Sequence, residues 1–211
     1  KSKLPNSGIS IFAKMTALAN QHGAINLAQG FPDFLSSVKL IENVFAAMRR
    51  GNNQYAPMPG VLSLREKIAE KVTTIYGRNY SPETEVTITA GATQAIYTTI
   101  TAIIREGEEV IIFEPAYDSY APAIRLSGGV PIPVELRAPD YKIDWEIVKK
   151  SVSQRTRMIM LNTPHNPTGS VLSKDDMAQL EKIVAGKDIF ILSDEVYEHI
   201  IFDNKRHESV L

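Results

Sequence analysis

The 211-residue chain contains no cysteine. Disulfides, thiolate metal sites and a cysteine nucleophile are therefore excluded. Charge of one sign is also lacking, since the formal net charge is -1. No basic footprint marks a nucleic-acid or anionic-membrane surface. No apolar run approaches the roughly 20 residues needed to span a bilayer, and residues 1–8 carry no apolar segment of signal-peptide type. The histidines at 22, 165, 199 and 207 show no metal-ligand spacing. Internal repeats and low-complexity stretches are missing too. What remains is a chain 44% hydrophobic, enough for one sizeable core. These features lead to the expectation of a cytoplasmic soluble protein.

The first third reads as helices and extended links. Ile9 to Gln21 places Ile9, Phe12 and Met15 on one side of a short helix. Ala24 to Asp33 is extended and ends in the turn-prone Gly30-Phe31-Pro32-Asp33. Val38 to Arg50 spaces Val38, Ile41, Val44, Phe45 and Met48 helically and stops at Gly51. Val61 to Tyr76 repeats that pattern before Gly77. From residue 85 strands alternate with helices: strand Glu85–Ala90, helix Ala92–Arg105, strand Val110–Phe113, helix Tyr117–Leu126. Val130, Ile132 and Val134 alternate, but Pro131 and Pro133 disfavour a central ladder position. Asp144 can cap a helix running to Val152, and Met158–Leu161 reads as a strand buried on both faces. Ser173-Lys174-Asp175-Asp176 opens a helix like a capping box with Asp in place of Glu, and Ile189–Leu192 is the next strand. The alternation predicts α/β architecture with a mostly parallel sheet. Ligands in such sheets bind beyond the C-terminal strand ends, so those ends are where chemistry is sought.

Four ends stand out. Thr89-Ala90-Gly91-Ala92-Thr93 turns a strand into a helix through glycine, and free N–H groups with the Thr93 hydroxyl suit a phosphate. An ordinary strand–Gly–helix turn fits the same residues. Tyr117, just past a strand end, can cover a flat ligand or pack on its neighbours. In Asn162 to Gly169, Pro164 and Pro167 stiffen a loop that can hold His165 or Asn166 in a cleft. Asp194 ends the apolar Ile189-Phe190-Ile191-Leu192, where a carboxylate needs a partner. A cationic ring nitrogen would serve; a helix N-cap role for the segment from Glu195 is the alternative. His199 and His207 read as surface residues. Pyridoxal phosphate makes these demands together: backbone N–H groups for its phosphate, a carboxylate at its pyridine nitrogen, donors to its phenolic oxygen, and an aromatic face.

The ordered set closely resembles class I/II aminotransferases of PLP fold type I. The resemblance runs from Asn26-Leu27-Ala28-Gln29-Gly30 through Asn53-Gln54-Tyr55-Ala56-Pro57, Thr89 to Thr93, Glu114-Pro115-Ala116-Tyr117-Asp118 and Asn162 to Gly169, to Ser193-Asp194-Glu195-Val196-Tyr197. The wording is most similar to the methionine aminotransferase branch, with kynurenine/glutamine aminotransferases close by. The resemblance implies a three-layer αβα large domain over residues 46–211, incomplete at its C-terminal end, with residues 1–45 as N-terminal arm and part of a small domain. It implies that Gly91, Ala92 and Thr93 hold the phosphate, Tyr117 stacks on the ring and Asp194 pairs with the ring nitrogen. Asn166 and Tyr197 would bond the phenolic oxygen, Tyr55 would reach the cofactor of a partner subunit in a homodimer, and Gly30 and Asn166 would face the substrate. The implied reaction is amino-group exchange between a large apolar or aromatic amino acid, such as methionine, and a 2-keto acid. The family's Ser-x-x-Lys motif, which supplies the Schiff-base lysine, has no counterpart here; Lys205 reads as part of a polar turn. The segment alone is therefore expected to be inactive. A C–S β-lyase and a non-catalytic regulatory domain use the same scaffold and stand as alternatives.

Overall fold

Four runs rich in β-branched and aliphatic residues form strands in the computed structural model, which describes residues 2–5, 8–30 and 32–211. They are β1 (Glu109–Glu114), β2 (Val130–Glu135), β3 (Thr156–Asn162) and β4 (Phe190–Asp194). All pair in parallel, in the order β2-β1-β3-β4. The two prolines of β2 fit its edge position, because only one side of that strand must supply ladder donors. β1 and β3 are interior, and Met158, Ile159, Met160 and Leu161 are all buried, as the uninterrupted apolar run predicts.

The pleat sends alternate residues to opposite faces, and each face has its own core. Val110, Ile112, Met158 and Met160 pack against Ile96, Ile100, Tyr120 and Ile124. Ile111, Phe113, Ile159 and Leu161 pack against Val148, Leu180 and Ile183. The first set of partners lies on α4 (Ala92–Ile103) and α5 (Tyr120–Leu126), the second on α6 (Trp145–Ser151) and α7 (Lys174–Val184). The result is the expected three-layer αβα arrangement. Before the sheet come α1 (Ile11–His22), α2 (Val38–Arg49) and α3 (Leu62–Tyr76). Neither α1 nor α2 has a buried residue.

Local signals were well placed. Asp144 caps α6 by accepting from the N–H groups of Glu146 and Ile147. Ser173 and Asp176 form the reciprocal capping box of α7, with Asp reaching back as Glu usually does. The Trp145 indole donates to the same Asp176 at 2.8 Å and so ties α6 to α7. Of the turn predicted over 30–33, Phe31 lies outside the described residues.

Three expectations need correction. Residues 85–90 are not a strand. The Ile88 N–H instead donates to the Pro59 carbonyl at 2.9 Å. Ile88 presses so closely on Gly60 that a Cβ there would lie 2.4 Å from its side chain. The alternating pattern correctly signals an extended, half-buried segment, but no neighbouring strand ladders with it among the described residues. The second correction concerns Tyr117–Leu126, where the helix starts only at Tyr120, after a turn. Finally, His207 is not on the surface: its side chain is 7% exposed and its Nε2 donates to Glu195 at 2.7 Å.

Candidate functional site

A cavity of about 200 Å³ opens at the C-terminal ends of β1, β3 and β4. Gly91, Ala92 and Thr93 form one wall, Tyr117 and Tyr120 another, and Asn162, Asn166, Asp194 and Tyr197 complete it. The sequence thus brought seven predicted residues to one place: Gly91, Ala92, Thr93, Tyr117, Asn166, Asp194 and Tyr197.

The Gly91 wall is the start of α4. The backbone at Gly91 has φ 87° and ψ 166°, a region open essentially to glycine alone. No side chain among the described residues caps this helix, so its leading N–H groups keep their capacity to bind an anion. The Gln94 side chain instead steadies the approach by accepting from the Ala90 N–H at 2.6 Å.

The Asp194 carboxylate is held at both oxygens. The Tyr120 hydroxyl donates to Oδ2 at 2.6 Å, and the Val196 N–H donates to Oδ1 at 3.2 Å. Residues 196–199 form a turn and not a helix, which removes the helix N-cap alternative for Asp194. Burial, together with the hydrogen bond to Asp194 and its charge, pushes the Tyr120 phenol far above the ordinary tyrosine range, so it remains a donor. Beneath, the Asn162 side chain donates to the Asp194 carbonyl at 2.9 Å and accepts from the Asn166 N–H at 2.7 Å. The ends of β3 and β4 and the Asn166 loop are thereby fixed to one another. Tyr117 meets Tyr120 edge-on, with ring centroids 5.8 Å apart.

Two expected residues lie elsewhere. Tyr55 is fully exposed and Gly30 is exposed; neither lines the cavity. Of the pair His165/Asn166, only Asn166 faces the cleft. His165 is 8% exposed and its Nδ1 lies 2.8 Å from Thr168 Oγ1, and burial lowers its pKa. Sequence reasoning missed Tyr120 and Asn162. The spacing of Tyr120 three residues after Tyr117, across the turn that opens α5, could have signalled that the two rings meet.

An uncapped helix start, an aromatic face and a fixed carboxylate therefore converge. Such a site can seat a flat, anionic group that carries a cationic ring atom.

Comparison with known proteins agrees in kind. The sequence model for aminotransferase class I and II matches residues 22–211. The methionine aminotransferase of Escherichia coli K12 is 51% identical over 211 residues, covering 100% of this chain and 55% of that protein. A probable N-succinyldiaminopimelate aminotransferase of Mycobacterium tuberculosis is 41% identical, covering 98% of this chain and 52% of that protein. Among solved structures, Escherichia coli YbdL, for which a methionine aminotransferase function was identified, superposes with a TM-score of 0.96 at 51% identity over 100% of this chain and 55% of that one. An N-succinyldiaminopimelate aminotransferase from Mycobacterium tuberculosis gives 0.93 at 40% identity, over 98% and 54% respectively. The chain spans about half the length of the curated relatives it matches. With a family match over 190 residues (22 to 211, both included) and a cavity built from the same strand ends that the motifs occupy, this chain belongs to the class I and II aminotransferases.

Proposed function

We propose that the whole protein is a pyridoxal-phosphate-dependent aminotransferase that accepts methionine or another large apolar or aromatic amino acid and returns the amino group to a 2-keto acid. The observation that carries this reading is the doubly held Asp194 carboxylate in the same cavity as the uncapped start of α4. Bound there, the cofactor would supply an electron-accepting ring. The residues fit it. Gly91, Ala92 and Thr93 would hold its phosphate through N–H groups and a hydroxyl, and Tyr117 would lie against the ring. Asp194 would keep the ring nitrogen protonated, because an acceptor-only carboxylate favours a cation beside it. Asn166 and Tyr197 would donate to the phenolic oxygen. Gly30 and Asn166 would face the substrate.

A homodimer belongs to the same reading. Leu27, Leu35, Tyr55 and Met58 are each more than 90% exposed, an apolar surface that favours association. Tyr55 would reach the neighbouring site. Residues 1–45 would form the arm with part of a small domain, and 46–211 the cofactor-binding domain. No helix among the described residues is long and apolar enough to cross a membrane; a cytoplasmic enzyme is proposed.

The test is a two-substrate assay with the purified full-length protein and pyridoxal phosphate. The expected result is loss of methionine matched mole for mole by amination of a 2-keto acid. Pyruvate with released thiol, independent of added keto acid, would overturn it in favour of β-elimination.

A further inference from the structure

The tight turn closed by the Glu198 N–H donating to the Glu195 carbonyl at 2.9 Å carries Val196 and Tyr197, which line the cavity, and Glu195 and Glu198, which do not. Both carboxylates are engaged away from it. Glu195 Oε1 accepts from the hydroxyls of Ser193 at 2.7 Å and Ser209 at 3.1 Å, and from the Val210 N–H at 3.3 Å. Its Oε2 accepts from His207 Nε2 at 2.7 Å. Every neighbour donates, so only an acceptor-only group matches the set. His207 Nδ1 is buried without a partner, which makes the bond to Glu195 the one polar contact of that ring among the described residues.

Glu198 extends the network to α3. It accepts from the Tyr76 hydroxyl at 2.5 Å and pairs with Lys71. The Tyr76 ring in turn meets His207 edge-on at 6.3 Å. Burial alone would raise the Glu198 pKa, but hydrogen bonds from Lys71 and Tyr76 and the charges of Lys71 and His199 hold it below the usual range.

We infer that Glu195 and His207 are positioning residues, which fix the turn so that Tyr197 and the adjoining Asp194 present a rigid wall to the cofactor. The inference rests on the pyridoxal phosphate reading above. Glu195 follows Asp194 directly and precedes Tyr197 by two residues, so the four bonds at its head restrain the backbone that aims both. An anchor serving only the segment 207–211 would need no such placement.

The experiment uses the full-length protein stripped of cofactor, with pyridoxal phosphate affinity and the absorbance of the bound cofactor as readouts. Glu195→Gln keeps the shape but turns an amide N–H towards donors. Its affinity is expected to fall about tenfold, as for loss of one hydrogen bond to a charged group, with a shifted absorbance maximum. Tyr197→Phe removes one of the two groups through which the effect is transmitted, Asp194 being the other. In that background Glu195→Gln should therefore weaken binding by clearly less than it does in the wild type. If Glu195→Gln does not fold, His207→Phe removes the donor, keeps a ring against Tyr76, and carries the same expectation. A lower melting temperature with unchanged affinity and absorbance would overturn the inference and leave a structural anchor. Additive losses in the double variant would overturn it as well. Wild-type protein that takes up no pyridoxal phosphate would overturn both this inference and the reading beneath it.

Discussion

Tyr120→Phe tests the central contact of the site without changing its shape. The side chain is 4% exposed, packed among Ile96, Ile124 and Met158, and its hydroxyl meets Asp194 Oδ2 at 2.6 Å. Removing one oxygen leaves the apolar contacts in place and strips a carboxylate oxygen of its donor. A hydrogen bond to a charged group contributes roughly 1.5–3 kcal/mol, and an orphaned acceptor in a buried setting falls at the same scale. The Val196 N–H still serves Oδ1, so the loss is confined to one oxygen. About 2 kcal/mol is expected, close to a 30-fold shift in the folding equilibrium. For a domain of this size that is a fall of roughly 4–8 °C in melting temperature. Urea unfolding of the cofactor-free protein measures it directly. A cycle with Asp194→Asn should show the two losses to be strongly non-additive, because they remove one interaction. A Tyr120→Phe variant within about 0.5 kcal/mol of wild type, the usual scale of uninvolved substitutions, would refute the argument and mean that water or a rearranged turn satisfies Asp194 equally well.

Gly91→Ala should destabilise by about 1–3 kcal/mol through backbone strain alone, since no atom of the described residues lies within 4 Å of a Cβ at that position. Gly91→Ser should cost the same in urea titrations, and a harmless Ala would show that α4 starts in another conformation. His165 gives a pH signature. Burial lowers its folded pKa from the ordinary 6.5, so below pH 6.5 the unfolded chain binds more protons and stability falls as pH drops towards the folded value. His165→Gln should flatten that slope in melts taken between pH 7 and pH 5, roughly the range in which histidine titrates. The lowered carboxylates Glu109 and Glu198 lose their contribution only below their ordinary 4.5, outside that window.

Where the sequence could be read, a local rule coincided with the tertiary demand. Met158 to Leu161 is apolar on both faces because β3 is interior, and Pro131 and Pro133 report an edge because a ladder needs donors. Ser173 and Asp144 announce helix starts because their oxygens satisfy N–H groups within three residues. The cavity was legible for a related reason. In a parallel sheet all C-terminal strand ends face one way, so motifs at 117, 166 and 194 had to meet once β1, β3 and β4 paired, and Gly91 joins them from the start of α4.

The failures share the opposite cause, dependence on a partner far away in the chain. Alternation over residues 85–90 reports one buried side, yet a ladder also needs a neighbour, and here Pro59 and Gly60 receive the segment instead. His207 sits in a polar stretch and looked solvated. Only the fold brings Glu195 and Tyr76 to it, and the acceptor on Glu195 turns a surface-like residue into a buried one. Tyr120 was passed over because its meaning depends on Asp194, 74 positions later. A carboxylate ending an apolar strand should therefore prompt a search for its donor among the tyrosines, asparagines and backbone N–H groups at neighbouring strand ends. Here that search finds Tyr120, which holds Asp194 in the wall of the cavity.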